Sequence, residues 1–560
     1  MTSITSAHRR RPLIGRGAFA FVTAAALSLG AGCAVAPVDG PVDAEDGAAE
    51  ENGAAASALT LQQLEQSFVD ACDGAIRSSY GPGFTGSCAV SNFTRTAIDA
   101  GQNIFEYSAD VRVGHSARDV IGLHRVVRES SPFQPAASGD AVMLVHGDAW
   151  AFRGAFLDTG HGDTFAAFLA KNGVDVWGID LGWTRVLPGT SDFSFMSTWG
   201  IDKDAKDVGV ALSIARVARH RTGSDKLPMK LLGWSRGGQI GYAYLGGESQ
   251  VPPAARHVNG FIPVDIYLKT DLGTPEGVKQ RNDACARLAA DLAQYNDPAR
   301  PDRYYTGIGG LVSTIGQLAL GDPETPTPLP IALPGVNDPL SNREVALLVG
   351  EATYFLSNPP PTPFYHFTGG TFGADNVPTG LTYVGDEARW FAAAAQAAPF
   401  EPLKVLIDAE RAMCGDPAST IDAHLSQIAV PVLYVGAEGG FGSSGLYTTT
   451  LLASQDRSSI VVSKTADQLH DVGHGDIFLA DNARTMFWDG ILGWLRSSHH
   501  CQDDSECTLL RDNTTCQCLA APAGATDPKS DSACLVDPCR DKVPSCQNFT
   551  CVVSGSDASM

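Results

Sequence analysis

Apolar positions recur along this chain in two different periods, and the order in which the periods alternate predicts its architecture. Leu61, Leu64, Phe68, Cys72 and Ile76 fall at helical spacing, which predicts a helix over 59–76. Two strands are expected next, over 104–113 and 120–127. The pattern then changes to short, wholly apolar runs separated by longer helical ones. Ala141-Val142-Met143-Leu144-Val145 runs into His146-Gly147. A helix over 164–171 follows, with Asp163 as its N-cap and Gly173 as its stop. Then come a strand over 174–179, an amphipathic helix over 204–220, a strand over 229–232 that leads into Gly233, a helix over 238–245, and a strand over 258–264 that ends at Asp265. Strands apolar on both faces, alternating with helices, require a mostly parallel sheet covered on both sides. The expected fold class is therefore α/β, doubly wound.

The alternation stops between 269 and 427, a Pro- and Gly-rich stretch with aromatic residues concentrated at 354–367. It resumes with strands over 430–435 and 459–462, and closes with a helix near 485–495 that is apolar at Met486, Phe487, Ile491 and Leu495. A pattern that halts and resumes predicts one sheet domain with an insertion. The expected organisation is an export signal over 1–33, a flexible acidic linker over 34–57, a first core part over 58–268, an inserted cap over 269–427, a second core part over 428–498 and a Cys-rich tail over 499–560.

Composition changes this picture at the two ends. Charged residues make up 18% and hydrophobic ones 44%, an ordinary globular balance, but 560 residues are too many for one ordinary core. The net charge of −22 repels phosphate backbones, so nucleic acid is not an expected partner. At the N-terminus Arg9-Arg10-Arg11 precedes an apolar run over 18–29, small residues and Cys33, the order of an export signal. The run is too short for a strong membrane span. Gly30-Ala31-Gly32-Cys33 is similar to a bacterial lipobox but has Gly30 three residues before the cysteine, with Leu29 one further back. Two outcomes stay open: a lipid on Cys33 that anchors the chain in the cell envelope, or simple cleavage and release. The paired arginines fit a twin-arginine route or an ordinary basic n-region. Loss of Arg9, Arg10, Arg11 and Arg16 with the signal makes the mature chain still more acidic.

With Cys33 set aside, the remaining cysteines fall into two even sets. Cys72, Cys88, Cys285 and Cys414 form one; Cys501, Cys507, Cys516, Cys518, Cys534, Cys539, Cys546 and Cys551 form the other. Even counts in an exported chain argue for disulfides, with Cys72–Cys88 and Cys285–Cys414 the expected pairs of the first set. Connectivity in the tail stays open. Zinc is the rival there, and against it His499 and His500 lie only at the leading edge and the spacings give no paired CxxC knuckles.

The chemistry is concentrated at three points. Gly233-Trp234-Ser235-Arg236-Gly237 fits G-x-S-x-G between a strand and a helix, the setting of a nucleophile elbow. A serine hydroxyl needs a base, and Gly473-His474-Gly475-Asp476 follows the last strand, where small neighbours let an imidazole reach across. An acid must orient that imidazole. Glu438, the one carboxylate after the strand that ends at Val435, is the first choice; Asp265 is the alternative, because the usual place for the acid holds glycines here. Donors for an oxyanion are expected from the backbone N–H groups of Arg236 and of Asp148, in the loop after Val145. His146 is read as tying loops together. Trp150, Phe152, Trp183 and Trp234 could serve as pocket lining or as core. His470 and His474 are four apart, but Gly473 and the lack of a Glu between them speak against a helical metal pair. The Gly-His-Gly-Asp at 160–163 reads as a helix cap.

In these motifs and their order, the segments 141–268 and 430–495, about 195 of 560 residues, resemble the α/β-hydrolase superfamily. A narrower likeness, in Asp119-Val120-Ile121-Gly122-Leu123-His124-Arg125 and Val174 to Trp177, is to acid-lipase-type members. The resemblance implies a serine esterase or lipase, a small-molecule or lipid ester as substrate, a cap over the pocket and no cofactor or metal. Two other readings use the same residues. One is a peptidase or amidase; the other is an inactive surface binding protein, for which the Cys-rich tail supplies either a recognition module or a protease-resistant appendage.

Overall fold

A computed structural model describes residues 59–81, 88–157, 163–333, 336–496, 504–512, 516–522, 534, 537–547 and 550–554. The expected export signal with Cys33, the expected linker, and His499 to Cys501 lie outside the described residues, as does most of the 160–163 motif.

The chain opens with α1 (Leu61–Tyr80), capped by Thr60 and Gln63 in a reciprocal capping box. Three antiparallel strands follow: β1 (Ala89–Asp99), β2 (Ile104–Arg112) and β3 (Val120–Ser131), the last with a two-residue partner β4 (Gln134–Pro135). Then come β5 (Ala141–Val145), α2 (Phe165–Lys171), β6 (Asp175–Asp180), α3 (Ile201–Arg221), β7 (Met229–Trp234), α4 (Arg236–Glu248) and β8 (Val258–Val264). Thr164, not Asp163, stands at the N-cap of α2, and Asp163 instead pairs with Lys171.

Between β8 and the next core strand, the chain builds α5 (Pro275–Asn296), β9 (Tyr305–Thr306), α6 (Ile308–Gly321), α7 (Asn342–Glu351), β10 (Gly370–Phe372), β11 (Pro378–Leu381), α8 (Glu387–Ala395), β12 (Glu401–Pro402) and α9 (Leu403–Cys414). The core resumes with β13 (Val432–Ala437), α10 (Leu446–Thr450), β14 (Arg457–Val462), α11 (Asp476–Leu479) and α12 (Asp489–Arg496). Two hairpins, β15 (Cys507–Asp512) with β16 (Gln517–Pro522) and β17 (Val543–Gln547) with β18 (Thr550–Ser554), form the tail. No helix among the described residues is long and apolar enough to cross a membrane.

One sheet carries the core, in the order β1-β2-β3-β6-β5-β7-β8-β13-β14. It is antiparallel from β1 to β6 and parallel from β6 onward. Its two faces are both covered. Along β5, Val142 and Leu144 join one apolar cluster while Ala141, Met143 and Val145 join the other. Leu232 and Trp234 of β7 divide from Met229 and Leu231 in the same way. The twofold period of a strand thus feeds two cores at once, which is why these strands read as unbroken apolar runs. Arg125 on β3 forks onto Asp175 of β6 at 2.9 and 2.8 Å, and Arg219 of α3 reaches the same carboxylate. This paired burial fixes the junction of the antiparallel and parallel parts.

Cys72–Cys88 joins α1 to the approach of β1, and Cys285–Cys414 joins α5 to α9, both as expected. In the tail Cys507 pairs with Cys551, Cys516 with Cys534 and Cys518 with Cys539.

Candidate active site

Ser235 stands in the one-residue turn between β7 and α4, with φ 55° and ψ −124°. A side chain held there costs on the order of 1–3 kcal/mol, which the surroundings must hold in place. The sheet ladder runs on past the strand, since the Ser235 N–H donates to Val264 O at 2.9 Å. The glycines around it answer to close packing. A Cβ on Gly233 would lie 2.2 Å from Gly237 O, and one on Gly237 would lie 2.3 Å from Val145 O. The G-x-S-x-G spacing is therefore the spacing at which helix, strand and neighbouring strand nearly touch.

Asp265 ends β8, the strand beside β7, and also has positive φ (48°). Its Oδ2 meets Nδ1 of His474 at 2.7 Å, and both side chains are buried. Its Oδ1 accepts from the N–H groups of Ala437 and Gly442, each at 2.9 Å, and Phe441 N–H is shared between the two oxygens. Glu438, the first choice from sequence, does not reach His474. Its carboxylate turns back to accept from Ser443 N–H at 3.1 Å and lines a separate polar cleft with Asp471 and Gln468. The reason is steric and local. The turn after β13 spends its donors on Asp265, and a Cβ on Gly440 would sit 2.0 Å from Asp265 Oδ2. The glycine that seemed to mark a missing acid is the space the Asp265 carboxylate occupies.

The imidazole of His474 is held flat. It stacks on Trp234 with centroids 5.1 Å apart and meets the rings of Phe441 and Tyr365 at 5.6 and 5.4 Å. Its backbone N–H donates to His366 O at 3.0 Å. His366, which sequence reasoning did not single out, thereby fixes the loop that carries His474, with its own Nε2 2.8 Å from Asp471 O. His470 faces Gly370 O.

The loop after β5 supplies the other wall. His146 is buried and holds that loop together: Nδ1 faces Gly147 O at 2.9 Å and Nε2 accepts from Leu181 N–H at 3.1 Å. Burial pushes its pKa down, consistent with a neutral ring. A Cβ on Gly147 would lie 2.7 Å from Ser235 Cβ, so the loop passes directly beside the serine. The backbone N–H groups of Asp148 and Arg236 have no acceptor among the described residues. The side chains of these two residues form a two-pronged pair, Nε to Oδ1 and Nη2 to Oδ2, both 2.9 Å.

Glu401, on β12 of the insertion, is buried beside Asp148. Burial, then the Asp148 charge, push the Glu401 carboxyl well above the usual range. Burial opposes ionisation of Asp148 too, but the Arg236 guanidinium overrides it and holds that carboxyl down. The insertion braces the same loop through two hydrogen bonds, Ala398 N–H to Ala149 O at 2.6 Å and Trp150 Nε1 to Ala393 O at 2.9 Å.

Ser235 and His474 line one cavity of about 440 Å³, roofed by α5 to α9. Trp150 and Trp234 line it; Phe152, stacked on His124, and Trp183, edge-on to His146, belong to the core.

The fold is that of the α/β-hydrolases. Among solved structures the chain is similar to a protein assigned as a lipase from Sulfolobus solfataricus (18% identity, 70% of this chain and 94% of that one, TM-score 0.47). It is also similar to an epoxide hydrolase from Vigna radiata (10%, 70% and 98%, TM-score 0.38) and to a monoglyceride lipase from Saccharomyces cerevisiae (12%, 74% and 97%, TM-score 0.32). No family model matches the chain, and no curated protein matches it. The reaction must therefore be argued from the site itself.

Proposed function

We propose that this protein is a serine hydrolase that cleaves carboxylic esters through an acyl-enzyme on Ser235. The observation that carries the reading is the 2.7 Å contact between Asp265 and His474, in the cavity that Ser235 enters from a strained turn. Asp265 holds His474 with its proton on Nδ1, which leaves Nε2 free to take the proton of the serine hydroxyl as Ser235 attacks the carbonyl. The N–H groups of Asp148 and Arg236 receive the developing oxyanion. His474 returns the proton to the leaving alcohol, and water then clears the acyl group by the same route. The mostly apolar lining beside Trp150 suits a small-molecule or lipid ester.

The disulfides support an exported setting. A lipid on Cys33 is the proposed tether to the cell envelope, and the mass of the mature N-terminus tests it.

Labelling with a serine-directed fluorophosphonate, followed by peptide mapping, tests the mechanism. Label on Ser235 in the wild type and none in Ser235→Ala supports it, and esters of graded acyl length then define the substrate against matched amides. A folded wild type that takes no label, even after the insertion is trimmed by protease, overturns it.

A further inference from the structure

The cavity over Ser235 is walled by two helix groups of different chemistry. Ile308 and Val312 of α6, Val349 of α7 and Trp390 of α8 make one part apolar. Arg287 and Asp291 of α5 and Glu410 of α9 make the other part charged, together with Arg236 and Gln239 of α4. A cavity that received only hydrocarbon would have no use for the second part, since each ion there must be desolvated when the ligand enters.

The charges of that wall are not all balanced internally. Arg287 forks onto Glu410 at 2.7 and 3.0 Å and gives its third nitrogen to Pro359 O. Arg236 forks onto Asp148 and gives its remaining nitrogen to Gln239. Gln294, one turn along from Asp291, donates to Asp302 O and Tyr305 O. Each guanidinium thus has its own carboxylate. Asp291 has no hydrogen bond or ion pair with any described residue, although it lines the cavity. Its place is fixed, because Cys285–Cys414 locks α5 to α9.

The geometry points to Asp291 as a binding residue for a cationic group on the substrate, so that the enzyme acts on amphiphilic esters with an apolar chain at one end and an ammonium at the other. This rests on the serine hydrolase reading and names its substrate class. Burial and then the nearby Glu410 push the Asp291 carboxyl up to about 7, outweighing the pull of the Arg236 and Arg287 guanidiniums, each of which is already forked onto its own carboxylate. A bound ammonium supplies a counter-charge; an anionic or purely hydrocarbon group does not.

The test is a matched pair of esters, one ending in trimethylammonium and one in the uncharged tert-butyl isostere, made in both orientations about the ester bond. In at least one orientation, wild-type kcat/KM is expected to favour the cationic member by about tenfold or more, the equivalent of about 1.4 kcal/mol. Asp291→Asn should bring the ratio near one, and Asp291→Lys should invert it. A wild type that treats both members alike, or a preference that survives in Asp291→Asn, overturns the proposal. If neither ester turns over and Ser235 takes no fluorophosphonate, the hydrolase reading is what fails. Calorimetric binding of decyltrimethylammonium ion to the wild type and to Asp291→Asn then decides the site by itself: tighter binding to the wild type supports it, and equal binding overturns it.

Discussion

Replacing Asp265 by Asn separates the two carboxylates that could serve His474. Asn keeps an oxygen where Oδ1 accepts from Ala437 and Gly442, so the turn after β13 stays satisfied. It puts an NH2 where Oδ2 faced Nδ1 of His474. Two donors cannot share that 2.7 Å contact, so the imidazole moves its proton to Nε2 and ceases to be a base. The expected loss in kcat is on the order of 10⁴, or about 5 kcal/mol of barrier, by analogy with the same change in trypsin-type triads. Thermal stability should change little, because the amide acceptors remain. Glu438→Gln, whose oxygen still accepts from Ser443, should stay within about twofold of the wild type. The assay is the rate of fluorophosphonate labelling, which needs no knowledge of the substrate, followed by turnover of a short p-nitrophenyl ester. Near-normal labelling of Asp265→Asn, or a comparable loss in Glu438→Gln, would refute the reasoning.

Three further perturbations follow from other parts of the structure. Gly147→Ala places a methyl 2.7 Å from Ser235 Cβ and 3.1 Å from Trp234 O, so labelling of Ser235 should fall by about a hundredfold or more while circular dichroism still shows a folded sheet. His124 is enclosed between Glu106 and Asp180; burial opposes its charge, but these two carboxylates override it and raise its pKa from 6.5 to about 9. A histidine held protonated in this way stabilises the fold fully below pH of about 6.5, and loses that contribution as pH rises through about 9. The change is about 3 kcal/mol in denaturant unfolding, and it should be absent from His124→Gln. Removing the Cys285–Cys414 bridge by a double change to Ser should cost about 2–5 kcal/mol and lower the unfolding midpoint, whereas equal midpoints would mean that the α5–α9 packing holds by itself.

Reading the sequence located β5, β6, β7, β8, β13 and β14 to within two residues, the first five because each lies between two apolar clusters, and β14, a half-exposed edge strand, from the apolar run of Ile460, Val461 and Val462. β1 escaped because it is an edge strand with mostly exposed side chains and no clear alternation. The insertion's helices escaped for a related reason: α5 buries only Gly277, Ala284, Arg287 and Leu288, too few apolar positions to set a period. The motifs around Ser235 and His474, the proposed nucleophile and base, were legible because glycine packing imposes them. The proposed acid was only the second choice, since Asp265 meets His474 through a positive φ and a turn that arrives about 170 residues later. Gly439-Gly440 held the clue, and it reads as an absence until Asp265 is seen to fill it. The insertion's bonds to Ala149 and Trp150 have no signal in sequence at all, because they depend on where the insertion folds back.

The Cys285–Cys414 bridge closes most of the insertion into a covalent ring, its ends 129 positions apart. A protease that cuts any bond inside that ring yields two fragments that stay joined, so nicked and intact molecules migrate together until a reductant is added. Cleavage there also leaves the sheet continuous from β8 to β13 through the bridge. The roof over Ser235 can therefore be opened by limited proteolysis without severing Asp265 from His474, which makes a nicked but unreduced form of the protein a natural object for comparing access to the serine with the integrity of its base.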